Sequence, residues 1–279
     1  FLPDATPQQR QRAIRFLQDG APFSELVALA RTLPPVARTI FLSNIAQLQP
    51  DAGIVRLASR ALSEIDRNEF ALCMEEISED AGLPCPARDK LYEALDAVIS
   101  SSAEKLVPVS DDMKGVARIL SRCLEEDLPR ASSGLLNAYT IIVNAYGRNA
   151  SLQGQSLRRQ MEDMAAVLRD SPEDGAALGA LDEALREWGA LMHPQQRLAN
   201  TKGRDEPVSR DLFEFLRDLA LGLVHERDAP RPAFAIAATC LEVFADLPRA
   251  AGQLKEDLAA LQGLVDELGA RDLFQFIDE

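Results

Sequence analysis

Ser209-Arg210-Asp211-Leu212-Phe213-Glu214-Phe215-Leu216-Arg217-Asp218-Leu219 decides how the chain reads. Leu212, Phe213, Leu216, Leu219 and Leu223 recur at three- and four-residue intervals, the period of one buried face of an α-helix. This run lies inside a longer stretch, Trp188 to Leu261, built of helix, polar or Pro-containing link, and helix again. The stretch opens on the single tryptophan and passes through His193-Pro194-Gln195-Gln196. It crosses the polar loop Asn200-Thr201-Lys202-Gly203-Arg204-Asp205-Glu206-Pro207 and ends beyond the turn Asp246-Leu247-Pro248-Arg249.

The same grammar extends outward. Thr6-Pro7 is a helix start, with a cap and then proline at the first helical position, and that helix runs to near Gly20. Helices follow over 23–33, 35–49, 51–65, 68–82 and 87–100. Asn68 is the expected cap of the fifth of these six, which carries Phe70, Leu72, Cys73 and Ile77 as its apolar residues. Ser100-Ser101-Ser102 to Pro108 is the weakest part of the pattern and marks a boundary between an N-terminal helical subdomain, 1–105, and a C-terminal one, 106–279. Ser110-Asp111-Asp112 starts a helix ending at Asp127. Pro129 opens the next, apolar on several sides at Leu135, Leu136, Tyr139, Ile142, Val143 and Tyr146 and so central, and Gly147-Arg148-Asn149 is expected to break it. Residues 151–170 and 171–192 read as an antiparallel helix pair. Ser209 is expected to cap the following helix, Phe234 to Phe244 supply another buried face, and 249–268 form the last long helix before a short turn over 272–277. Leu33-Pro34-Pro35, Leu128-Pro129-Arg130 and Leu247-Pro248-Arg249 echo one another as helix starts at unequal spacing. No segment alternates as a strand does. The fold class is therefore all-α, an irregular multi-helix bundle or a degenerate helical-hairpin, repeat-like array.

Composition narrows the functional classes. The chain has 279 residues, 47% hydrophobic, with a net charge of −14. That charge repels phosphate backbones and anionic headgroups, which argues against nucleic acid or a membrane surface as partner. No apolar run is long enough to span a bilayer, and no signal peptide is visible. Four cysteines, at 73, 85, 123 and 240, share no CxxC spacing. They read as free thiols of a reducing, cytoplasmic compartment, with 73, 123 and 240 acting as small hydrophobes and Cys85 exposed between Pro84 and Pro86. The chain begins at Phe1 and not at methionine, so it reads as a fragment, and one expectation is a regulatory or effector piece whose active module lies upstream.

Motifs for chemistry are sparse. There is no GxGxxG, GxxxxGK[ST], GxSxG or Glu-x-x-His. No catalytic, cofactor-binding or metal-ligating residue is singled out, no cofactor is expected, and the reading leans against an enzyme. His225, in His225-Glu226-Arg227-Asp228, suits a helix C-terminus, and His193 precedes a proline. A pocket near His193 and His225, in an enzyme or a small-molecule binder, is the alternative. Arg197, Lys202, Arg204 and Arg210 make the loop after the Trp188 helix locally basic within an acidic chain. They are the candidate partner-binding residues of a helical protein–protein interaction scaffold or adaptor, since loops carry recognition on rigid scaffolds. The partner expected is another protein of unspecified identity, with homo-oligomerisation left open.

Trp188, His193-Pro194-Gln195-Gln196, Lys202-Gly203, Glu206-Pro207-Val208-Ser209, Leu216 to Ala220, His225-Glu226, Val243 to Pro248 and Glu256-Asp257 together carry a resemblance. Residues 184–265 resemble a helical region of unknown function found in some bacterial proteins that also hold a J-domain. The sequence departs at His193 and His225, where that region has Gln and Asn. The resemblance implies a bacterial cytoplasmic source and a chaperone-linked or scaffold role. It transfers no catalytic residue, and the 279 residues contain no HPD motif.

Overall fold

The structure, a computed structural model, describes residues 23–48 and 51–278, with side chains described up to residue 268 apart from a few near the start. The tail and helix expected before residue 21 lie outside the described residues. Within them the chain is all-α: eleven α-helices and one 3₁₀ turn, and no strand. We number the α-helices in chain order. The fold divides into two compact units, and the division is discontinuous in sequence. One unit takes the described residues up to Pro108 together with Pro129–Ala145, and the other takes Val109–Leu128 with Tyr146 onwards.

The first unit holds α1 (Phe23–Arg31), α2 (Pro35–Leu48), α3 (Ala52–Ser63), α4 (Arg67–Asp80), α5 (Arg88–Leu106) and the start of α7 (Ser133–Asp170). α2 packs on α3 and α5. Leu42, Ala46, Ile54, Ala58, Leu95 and Ala103 are almost wholly buried. Asp51 and Asp66 cap α3 and α4 through their carboxylates, supplying acceptors for the free first-turn N–H groups. Asp66, not Asn68, is therefore the cap of α4. α5 runs unbroken through Ser100-Ser101-Ser102. α4 overturns a second expectation: Leu72 and Ile77 are half exposed and Cys73 is exposed. Only Ala71 and Ser78 of this helix are buried. The helix is held to α5 by polar contacts, among them Arg88–Glu75 at 2.8 Å and Tyr92 Oη to Asn68 Oδ1 at 3.0 Å.

The second unit holds α6 (Met113–Asp127), the remainder of α7, α8 (Gly175–Asn200), α9 (Pro207–Arg227), α10 (Pro230–Val243) and α11 (Pro248–Asp278). α10 is its hub, packing on α8, α9 and α11. Trp188, Tyr146 and Phe244 are among its largest fully buried side chains. Phe213 meets Phe244 edge to face, ring centres 5.9 Å apart, the arrangement aromatic quadrupoles favour. Tyr146 Oη donates to the Leu191 carbonyl at 2.8 Å. Arg217 grips Asp257 with two bonds, of 2.6 and 3.1 Å, tying α9 to α11.

Five local expectations change. Gly147 does not break α7, which is one helix of 38 residues. A Cβ at Gly147 would lie 2.7 Å from Gln195 Nε2, so glycine serves close packing of α7 on α8 there. His193-Pro194 does not end α8, which continues to Asn200 with Pro194 inside it. Glu206, not Ser209, caps α9, with Pro207 in its first turn. The Leu128-Pro129-Arg130 echo forms only a 3₁₀ turn, and α11 absorbs the separate turn expected over 272–277.

Candidate functional site

Helical spacing builds a cleft in the second unit. On α6, Lys114, Arg118, Ser121, Arg122 and Glu125 fall on one side, at offsets of four, seven, eight and eleven residues. Arg186, Gly189, Ala190 and His193 do the same on α8. Glu242 and Val243 at the end of α10 close the wall, and the cleft encloses about 930 Å³. Gly189 makes the closure, because a Cβ there would come within 2.9 Å of Val243 Cγ1. Pro194 lacks the N–H that would bond the Ala190 carbonyl, and Ala190 is itself part of the wall.

The cleft mixes both signs of charge. Lys114 pairs with Glu187, Arg122 with Glu126 at 3.0 Å, and Arg186 with Asp182 and Glu242. Arg118 is exposed along the same wall and forms no ion pair within the described residues. A second, smaller hollow of about 320 Å³ lies between α8 and α10, apolar except for Asp182 and Thr239. The Thr239 hydroxyl and Arg186 hold the Asp182 carboxyl below its usual range.

His193 sits at the inner end of the cleft wall within a hydrogen-bonded chain. Its Nδ1 lies 2.8 Å from Ser121 Oγ. Its Nε2 lies 3.1 Å from Asp246 Oδ2. Asp246, in the turn between α10 and α11, also accepts from Arg197 at 3.0 Å and Asn200 at 3.3 Å. The His193 bond, with help from the Arg197 charge, keeps the Asp246 carboxyl below the usual carboxylate range despite burial. With Asp246 ionised, the Nε2–H tautomer donates to its carboxylate, and in that tautomer Nδ1 accepts from the Ser121 hydroxyl. Ser121 differs from several other helical hydroxyls. The hydroxyls of Thr39, Ser59 and Thr140 bond back to the carbonyl four residues earlier in their own helices, whereas that of Ser121 meets a histidine 72 residues away.

The candidate loop residues part company. Arg197 is committed to Asp246, and Arg210 pairs with Glu214 at 2.8 Å and Asp205 at 3.8 Å. Lys202 and Arg204 are exposed on the turn between α8 and α9. The Asp205 side chain, only 4% exposed, accepts the Arg249 N–H at 3.2 Å, so this turn is pinned to the start of α11. His225 is exposed at the end of α9 and does not line the cleft that His193 joins. Among the described residues no cluster of three or more His, Cys, Asp or Glu could hold a metal ion, and no helix is long and apolar enough to cross a membrane. Ser121, Arg118 and Asp246 escaped the sequence reading because their neighbours in the cleft lie far along the chain. Their local signal was only an amphipathic helix and a Pro-containing turn.

Fold and site together define an all-α protein with a charged interhelical cleft. No family model matches the chain, and neither a curated protein nor a solved structure matches it.

Proposed function

We propose that this protein is a helical interaction module and that the cleft between α6 and α8 receives a segment of another protein. The single observation behind this reading is the cleft itself: roomy, walled by two helices, and holding matched charges within a body of net charge −14. Side chains of both signs on rigid helices supply specificity and orientation for a charged peptide. Arg118 is the residue left to meet an incoming carboxylate. Lys202 and Arg204, on the pinned turn between α8 and α9, are a second contact point, while Arg197 and Arg210 serve the fold. The resemblance of residues 184–265 directs the search for the partner towards chaperone-associated proteins, and the exposed thiols of Cys73 and Cys85 fit a reducing, cytoplasmic setting.

The test is affinity capture with quantitative mass spectrometry, comparing wild type with Ala190→Trp, which fills the exposed wall, and Arg118→Glu. A partner enriched by wild type and lost by both variants, with unchanged circular dichroism, supports the cleft. Capture lost only in Lys202→Glu/Arg204→Glu moves the interface to the turn. Capture unaffected by all of these refutes both surfaces.

A further inference from the structure

We propose that Ser121, His193 and Asp246 form a nucleophile, base and positioning residue able to transfer an acyl group from a carboxylic ester. The inference stands on the hydrogen-bonded chain and not on partner binding. Three observations carry it. The chain is continuous, at 2.8 Å from Ser121 Oγ to His193 Nδ1 and 3.1 Å from His193 Nε2 to Asp246 Oδ2. It opens on the cleft of about 930 Å³, which Ser121 and His193 both line, with Ser121 itself only 7% exposed. And the Ser121 hydroxyl faces the imidazole, unlike Thr39, Ser59 and Thr140, which bond back within their own helices.

The chemistry balances with water as the only co-reactant. Ser121 Oγ bonds to the ester carbonyl carbon while its proton passes to His193 Nδ1. The ester C–O bond breaks, and the departing alcohol takes that proton. Water then attacks the acyl-serine with His193 again as base, releasing the carboxylic acid and restoring the hydroxyl. Asp246 acts through His193 by keeping the proton on Nε2, so that Nδ1 faces Ser121. Arg118, one turn before Ser121 and without an ion pair among the described residues, is the cationic donor beside the developing oxyanion. It favours esters whose acyl part carries an anionic group.

Two measurements test this on the whole chain. The first is labelling by a fluorophosphonate probe, with the modified residue mapped by mass spectrometry. Labelling should fall on Ser121, vanish in Ser121→Ala, and slow by at least about a hundredfold in His193→Gln, the lower reach of general-base catalysis. The second needs no substrate and compares the pH dependence of iodoacetamide alkylation at position 121 in Ser121→Cys and in Ser121→Cys/His193→Gln. Cys73 and Cys85 are replaced by Ser in both, since their thiols are exposed. The charged groups that bear on the ring are Asp246 and Arg197 on its inner side, Arg118, Arg122 and Glu125 on α6, and Glu242 on α10. An imidazole acting as base makes the thiol react faster near neutral pH by about tenfold in the single-site protein. Equal alkylation profiles, or a folded wild type that the probe labels no faster than Ser121→Ala, overturn the proposal. In that event Ser121–His193–Asp246 is a helix-to-turn brace.

Discussion

Asp246 gathers more of the second unit than any other single carboxylate described above. One side chain accepts from His193, Arg197 and Asn200, so a turn, the middle of α8 and its end converge on two oxygens. Hydrogen bonds to a charged acceptor each contribute roughly 1.5–3 kcal/mol, and losing the charge weakens the bonds of three part-buried donors. Asp246→Asn is therefore expected to lower stability at pH 7 by about 1–3 kcal/mol in urea titrations. The pH dependence has a definite sign. The folded-state pKa of Asp246 lies below the ordinary value for an aspartate. Its stabilisation is thus present above the unfolded value and lost as pH falls through the folded one. The gap between wild type and Asp246→Asn should be full at pH 6 and narrow towards pH 3. A gap that stays constant over that window would show that the carboxylate charge contributes nothing.

At the scale of elements, glycines separate helix propensity from helix packing. Gly189 and Gly222 both lie inside helices, where alanine is favoured by about 1 kcal/mol. A Cβ at Gly222 would have nothing within 4 Å, whereas one at Gly189 would meet Val243 at 2.9 and 3.1 Å. Valine is stiff at χ1 and cannot turn aside, and forced overpacking costs about 1–3 kcal/mol. Gly222→Ala should raise the thermal midpoint, and Gly189→Ala should lower it while widening the gap between α8 and α10. Scanning calorimetry of the two variants decides it: a rise in both would mean that the α8–α10 contact yields easily. The same geometry explains why Gly147 read as a break. A glycine inside a polar Gly-Arg-Asn triplet carries one local signal whether it ends a helix or admits a neighbour, and only Gln195, 48 positions on, distinguishes the two. Pro194 misled in the same way, since the packing around α8 outweighs one missing hydrogen bond.

For the whole molecule, the excess of acidic groups sets the response to salt. A net charge of −14 repels itself at low ionic strength, and screening shortens that repulsion to about 8 Å at physiological salt. Many of the ion pairs are surface pairs within one helix, such as Arg122–Glu126, Arg158–Glu162 and Arg210–Glu214, and each contributes only about 0.3–0.5 kcal/mol. Repulsion should therefore dominate. Raising sodium chloride from about 20 mM to 500 mM is expected to raise the melting temperature by about 2–4 °C, the shift that about 1 kcal/mol produces in a chain of this size. A lower melting temperature in salt would mean that the paired charges outweigh the net excess.

The all-α class was legible from periodicity alone, because three- and four-residue apolar spacing is a local property of each helix and needs no knowledge of its neighbours. The helix start at Asp51 and the acidic start of α6 were legible for the same reason. Which helices continue through Gly147, Pro194 and Ser100–Ser102 depended on packing, as did the exposed face of α4. The discontinuous make-up of the two units followed from contacts between segments far apart in sequence. The cleft belongs to this second kind. Ser121, His193 and Asp246 come from two helices and a turn, and no spacing along the chain encodes a distance of 2.8 or 3.1 Å between side chains that only tertiary packing brings together.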